Sequence, residues 1–245
     1  YHRKDGPAVE DGGYRAWYLD GQRHRIDGPA IEWKDGTKSW YLNGQRHRED
    51  GPAIEGSSGE KQWFLNGVRH REDGPAIEGL NGYREWWVAG QLHREDGPAF
   101  DSSCVKEWWL NGQRHREDGP AIESLNGAKG WYIKGQRHRV NGPAMEWKNG
   151  KKEWYKEDLL HRDDGPAVVG DDGLREWWIN GGKLTEEEFE HLLEKKALNE
   201  KLQFTLPPKP TTKMLEFFRI SKPSSLNNNS ALSCQTAIEM YFNYD

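Results

Sequence analysis

Apolar and polar positions alternate with a period of two in short runs along most of this chain, and most runs are closed by a glycine-containing turn. Residues 29–48, PAIEWKDGTKSWYLNGQRHR, show the pattern in full. Pro29 to Trp33 predicts a strand with Ile31 and Trp33 on one face and Ala30 and Glu32 on the other, because side chains alternate sides along extended backbone. Asp35-Gly36 is a turn signal, since glycine accepts the positive φ of a tight hairpin. Lys38 to Leu42 predicts the returning strand, with Trp40 and Leu42 together and Tyr41 opposite. Asn43-Gly44 is the strongest short hairpin signal, and Gln45 to Arg48 leads into the next Asp-Gly-Pro turn. Proline has no N–H for a ladder and is expected at the first residue of a strand.

The unit repeats. His-Arg occurs at His2, His24, His47, His70, His93, His115, His138 and His161, at intervals of 22 or 23 residues. Asp-Gly-Pro-Ala follows in seven copies and Asn141-Gly-Pro-Ala in the other. Each unit carries an aromatic pair, from Trp17-Tyr18 through Trp40-Tyr41, Trp63-Phe64 and Trp86-Trp87 to Trp177-Trp178. The expected fold is all-β: an elongated single-layer meander of about eight stacked β-hairpin repeats, each advancing roughly 10 Å. A lone hairpin is marginal, so stability is expected to come from aromatics of one unit stacking on the next.

This spacing, with its aromatic strand and two glycine turns, resembles the MORN repeat family in its variant form over residues 1–183. The resemblance implies a β-hairpin ribbon that scaffolds other proteins or itself. Trp-Tyr/Trp and Asp-Gly-Pro-Ala stand here in place of the family's Tyr-x-Gly-x-Trp and Gly-x-Gly, so lipid contact through those signatures is not carried over.

After Trp178 the pattern changes. Thr185 and Glu188 form a capping box. Phe189, Leu192, Leu193, Ala197 and Leu198 then follow near helical spacing, with Lys195, Lys196 and Lys201 toward the end, where the dipole favours cations. A helix over 184–202 is expected to cover the open edge of the last hairpin. Leu206-Pro-Pro-Lys-Pro breaks it, and 203–245 reads as a mostly disordered tail. Two apolar islands interrupt that tail, TTKMLEFF at 211–218 and QTAIEMYF at 235–242. Each places an aliphatic residue three positions before two aromatics, which one helical or 3₁₀ turn gathers on one side as a plug.

The islands resemble the PIP box, the peptide by which replication and repair proteins dock the sliding clamp proliferating cell nuclear antigen. The resemblance implies that Gln235 enters a polar pocket of the clamp while Ile238, Tyr241 and Phe242 fill its hydrophobic pocket. In the first island Met214, Phe217 and Phe218 supply the plug, and Thr211 stands where glutamine is usual. The alternative expectation is that these aromatics pack back onto the chain's own ribbon.

Composition narrows the function classes. A net charge of −5 disfavours direct binding to nucleic acid or to an anionic membrane, and no apolar run spans a bilayer. Cys104 and Cys234 form no metal-spaced pair, which fits a reducing intracellular compartment. The clamp resemblance adds the nucleus or a viral replication site, since such repeats are abundant in viruses and bacteria. The chain opens on Tyr1 inside a repeat, so a preceding segment is expected.

The repeated His-Arg-Glu/Asp-Asp stretches invite catalytic or metal-binding readings. A catalytic group is needed once, however, and equivalent positions ~10 Å apart cannot share an ion at ligand distances near 2 Å. The expected role is local: the acid bonds turn amides while arginine spreads over neighbouring rings. No enzyme and no cofactor are expected. The sequence points to an adaptor whose tail docks a PCNA-like clamp while the repeats bind another protein, or else to a self-associating structural scaffold.

Overall fold

The computed structural model describes residues 6–205, with side chains to 202. The described residues divide into two units, with the boundary after Glu190. Within the first, the described residues form one 17-stranded antiparallel sheet and seven separate two-stranded hairpins.

Each repeat supplies two neighbouring strands to the long sheet, then a small hairpin that sits outside it. In the worked unit Ile31–Trp33 pairs with Lys38–Ser39, and Lys38–Ser39 pairs in turn with Ile54–Glu55 of the next repeat. Tyr41–Leu42 pairs only with Gln45–Arg46. The predicted single strand from Lys38 to Leu42 is therefore two, broken at Trp40. The break has a hydrogen-bonding cause. Trp40 N–H donates to Ala53 O of the next repeat at 2.9 Å, while Trp40 O accepts from His47 N at 3.2 Å, so the chain pivots out of the ladder there. In the last repeat, Trp177 pairs instead with Leu184, and Arg175–Ile179 runs on unbroken. Pro29 also lies before its strand, which begins at Ile31.

Asn43 and Gly44 both take left-handed φ, +49° and +78°, as the two central residues of a type I′ turn require. Asp35-Gly36 turns as expected: Gly36 φ is +93°, and the Asp35 carboxylate accepts from Thr37 N at 2.9 Å.

The register sorts side chains into two rows. One row reads Glu10, Arg15, Glu32, Lys38, Glu55, Lys61, Glu78 and Arg84 on successive strands. It continues through Asp101, Lys106, Glu123, Lys129, Glu146 and Lys152, and only Val169 interrupts the alternation of charge before Arg175. Directly opposite unlike charges each stabilise a sheet by roughly 0.2–1 kcal/mol, and a slip of one residue would forfeit them all.

The row on the other face carries the core. Ile31, Ile77 and Val168 are buried there, with Tyr41 and Phe64 from the small hairpins. The alanine of every described Asp/Asn-Gly-Pro-Ala turn, from Ala30 to Ala167, is fully buried. Where this row holds a carboxylate, the aromatic two residues later brings a donor: Trp109 Nε1 reaches Glu107 at 2.8 Å, Tyr155 Oη reaches Glu153 at 3.2 Å and Trp178 Nε1 reaches Glu176 at 3.2 Å. Ser39 and Gln62 occupy the same row ahead of Tyr41 and Phe64.

Direct ring contact between units, the expected source of stability, occurs where Tyr83 meets Phe100 edge to face with centroids 5.4 Å apart, but the rings of neighbouring aromatic pairs are linked differently. A guanidinium stands between them: Arg46 lies 5.9 Å from the Tyr41 centroid and 5.4 Å from Phe64, and Arg69 lies 5.7 Å from Phe64 and 5.3 Å from Trp87. Such cation–π contacts contribute ~0.5–2 kcal/mol each and tolerate rings of different size, which suits a repeat that varies among Tyr, Phe and Trp.

The C-terminal helix spans Glu186–Thr205. Its capping box forms as predicted: Glu188 N donates to Thr185 Oγ1 at 3.2 Å, and Thr185 N to Glu188 Oε2 at 2.8 Å. Phe189 is buried, whereas Leu192 and Leu198 are exposed.

Candidate functional site

The chemistry-bearing residues of the described chain gather at the turns between repeats. Arg48 is representative. Its guanidinium lies 4.0 Å from the Trp40 ring centroid, with Nε donating to Asp50 at 2.9 Å and Nη1 to Pro52 O at 3.2 Å and Glu55 at 2.8 Å. Arg71 repeats the set on Trp63, Asp73, Pro75 and Glu78. Arg116 does so on Trp108, Asp118, Pro120 and Glu123. Arginine is the residue for this place, because a planar fork can stack and donate in several directions together.

Turn glycine completes the clamp. A Cβ on Gly51 would stand 3.0 Å from Arg48 Cζ, and one on Gly119 2.9 Å from Arg116 Cζ. Glycine lets the guanidinium approach the backbone this closely; a Cβ would press the arginine away.

The expectation that the acid bonds turn amides is corrected by these contacts. From Arg25–Asp27 to Arg162–Asp164, the carboxylate instead accepts from the arginine Nε of its own turn. These hydrogen bonds, with the attraction of the same guanidinium, hold Asp50, Asp73, Asp96 and Asp118 below the ordinary carboxylate range. The other half of the expectation holds in seven of the eight aromatic pairs, from Trp17 to Trp154, where arginine covers the first ring.

Histidine joins repeats. His47 Nδ1 accepts Asn66 N–H at 3.1 Å, His70 accepts Ala89 N–H and His115 accepts Lys134 N–H at the same distance. Nε2 of the same rings faces Glu49 at 3.6 Å in His47 and Glu117 at 3.7 Å in His115. His24, His47, His70, His93, His115 and His161 thus each read the left-handed first residue of the next repeat's turn.

Sequence reasoning missed two parts of the clamp, the proline carbonyl and the ladder acid seven residues after the arginine. The second had a signal: Glu32, Glu55, Glu78, Glu123 and Glu146 recur at one position of the repeat. Where Asp101 and Val169 replace that glutamate, Arg94 and Arg162 keep the proline contact at 3.3 and 3.2 Å.

Among the described residues, no group of three or more His, Cys, Asp or Glu is placed to hold a metal ion. No described helix is long and apolar enough to cross a membrane. The predicted clamp-docking residues, Met214, Phe217, Phe218, Gln235, Ile238, Tyr241 and Phe242, lie outside the described residues. Known protein families and curated proteins offer no match to this chain.

Proposed function

We propose that this chain is a non-enzymatic adaptor. Its repeats present a binding face to another protein, and its tail docks a PCNA-type sliding clamp through the islands at 211–218 and 235–242. The reading rests on one contrast. Polar groups of the repeat turns are engaged with one another in copy after copy, the arrangement of a framework, whereas the tail carries two apolar–aromatic clusters of PIP-box spacing. Two such peptides on one tail can occupy two subunits of a ring, so that the second capture is intramolecular and gains from effective concentration.

Calorimetric titration of the full chain into a purified PCNA-type clamp tests the proposal. Binding is expected, with most affinity lost in Tyr241→Ala/Phe242→Ala and a smaller loss in Phe217→Ala/Phe218→Ala. A full chain without measurable affinity for the clamp overturns the clamp assignment. Concentration-dependent oligomers in light scattering, unchanged by either tail variant, would favour the self-associating scaffold instead.

A further inference from the structure

Adjacent turns enclose a groove. Between the turn at 94–98 and the one at 115–118 it has a volume of about 600 Å³ and opens to solvent. Pro98, Trp108 and Leu110 give it an apolar floor. Glu95, Asp96, Glu117 and Asp118 line the rim. Each of these turns carries one guanidinium and two carboxylates, but the two charges do not share the surface equally. Arg94 and Arg116 are turned in against their tryptophans with 24% and 22% of the side chain exposed. The four rim carboxylates are 82–86% exposed. Solvent therefore meets an acidic rim over an apolar floor, a combination that fits the methylene stem and cationic head of lysine or arginine.

The same turn is repeated at Arg48-Glu49-Asp50 and Arg71-Glu72-Asp73, where the carboxylates are again 82–84% exposed. Four consecutive turns make an even acidic row. It is bounded on both sides: Ile26 and Val140 replace the glutamate in the flanking turns and are 86% and 84% exposed. Two strands at ~4.8 Å spacing carry each turn roughly 10 Å from the last, and extended peptide advances ~3.3 Å per residue, so every third residue meets a new turn.

We infer that the acidic row from Glu49 to Asp118 binds an extended basic peptide of a partner protein that carries lysine or arginine at every third position. The inference rests on the adaptor reading and supplies the class of partner for the repeats. Its test involves no clamp, so its failure leaves the tail assignment untouched.

The test is fluorescence anisotropy of the full chain at low ionic strength with two dye-labelled peptides of one composition. One has four lysines spaced by Ser-Gly; the other has the four lysines contiguous. The spaced peptide is expected to bind ~tenfold more tightly, since only it reaches all four turns without leaving its extended form. Glu49→Gln/Glu72→Gln/Glu95→Gln/Glu117→Gln, with circular dichroism to confirm the fold, is expected to remove that preference. Conversely, Ile26→Glu/Val140→Glu is expected to tighten binding of a six-lysine peptide of the same spacing. Equal affinity for the two peptides, no binding, or a spaced-peptide affinity unchanged in the glutamine variant overturns the inference.

Discussion

Replacing Arg71 by alanine is the sharpest test of how these repeats hold together. The side chain is 20% exposed and makes four contacts at once: the Trp63 ring at 3.9 Å, Asp73 at 2.9 Å, Pro75 O at 3.1 Å and Glu78 at 2.9 Å. The half-buried stacking contributes ~1–2 kcal/mol. Loss of the partner to Glu78, a carboxylate 38% exposed, costs ~1 kcal/mol after discounting for solvent screening. The orphaned Pro75 carbonyl adds ~0.5–1 kcal/mol, whereas Asp73, 84% exposed, stays solvated without its partner. The total is ~3 kcal/mol, which lowers the melting temperature of a unit of this size by roughly 6–12 °C. Arg162→Ala is the internal comparison, because Val169 stands where that clamp would have its ladder acid; its cost should be smaller by ~1 kcal/mol. Differential scanning calorimetry of both variants, beside an exposed ladder control such as Arg84→Ala, reads the difference. Should Arg71→Ala melt within ~2 °C of the parent, or no lower than the Arg84 control, the clamp is not what couples the repeats.

Gly74→Ala should unseat Arg71, since its Cβ would lie 3.0 Å from Cζ, and should destabilise by ~1–3 kcal/mol in urea titration; Gly12→Ala, with open space around the new Cβ, should be nearly silent. Asp50, Asp73, Asp96 and Asp118 are held below the ordinary carboxylate value, so folding binds fewer protons than unfolding. Their contribution is complete above pH ~4 and is lost as the pH falls through the depressed folded values, so the denaturant midpoint should drop below pH ~4, and less so in the fourfold Asp→Asn variant. Val169→Glu, between Lys152 and Arg175, should restore the charge alternation and raise the urea midpoint by the equivalent of ~0.5 kcal/mol, unlike Val169→Gln.

The sequence by itself determined the repeat, the all-β class, the glycine turns and the capped helix, because each is a local matter. Asn43-Gly44 takes positive φ wherever it stands between short strands, and Thr185 with Glu188 closes a helix start from three residues away. Arginine over the first tryptophan was also legible, as a property of the residue types. Tertiary structure decided what depends on the neighbouring copy. Trp40 leaves the ladder because Ala53 of the next repeat takes its N–H, which no window within one unit reveals. Asp50 turns to Arg48 because the guanidinium already lies pinned between Trp40 and Gly51, leaving Nε aimed at the carboxylate. The row of unlike charges appears only once register aligns strands from successive repeats, since its members lie several to nearly twenty residues apart in the chain. Local chemistry chose the elements; hydrogen-bond and charge pairing across copies chose their partners.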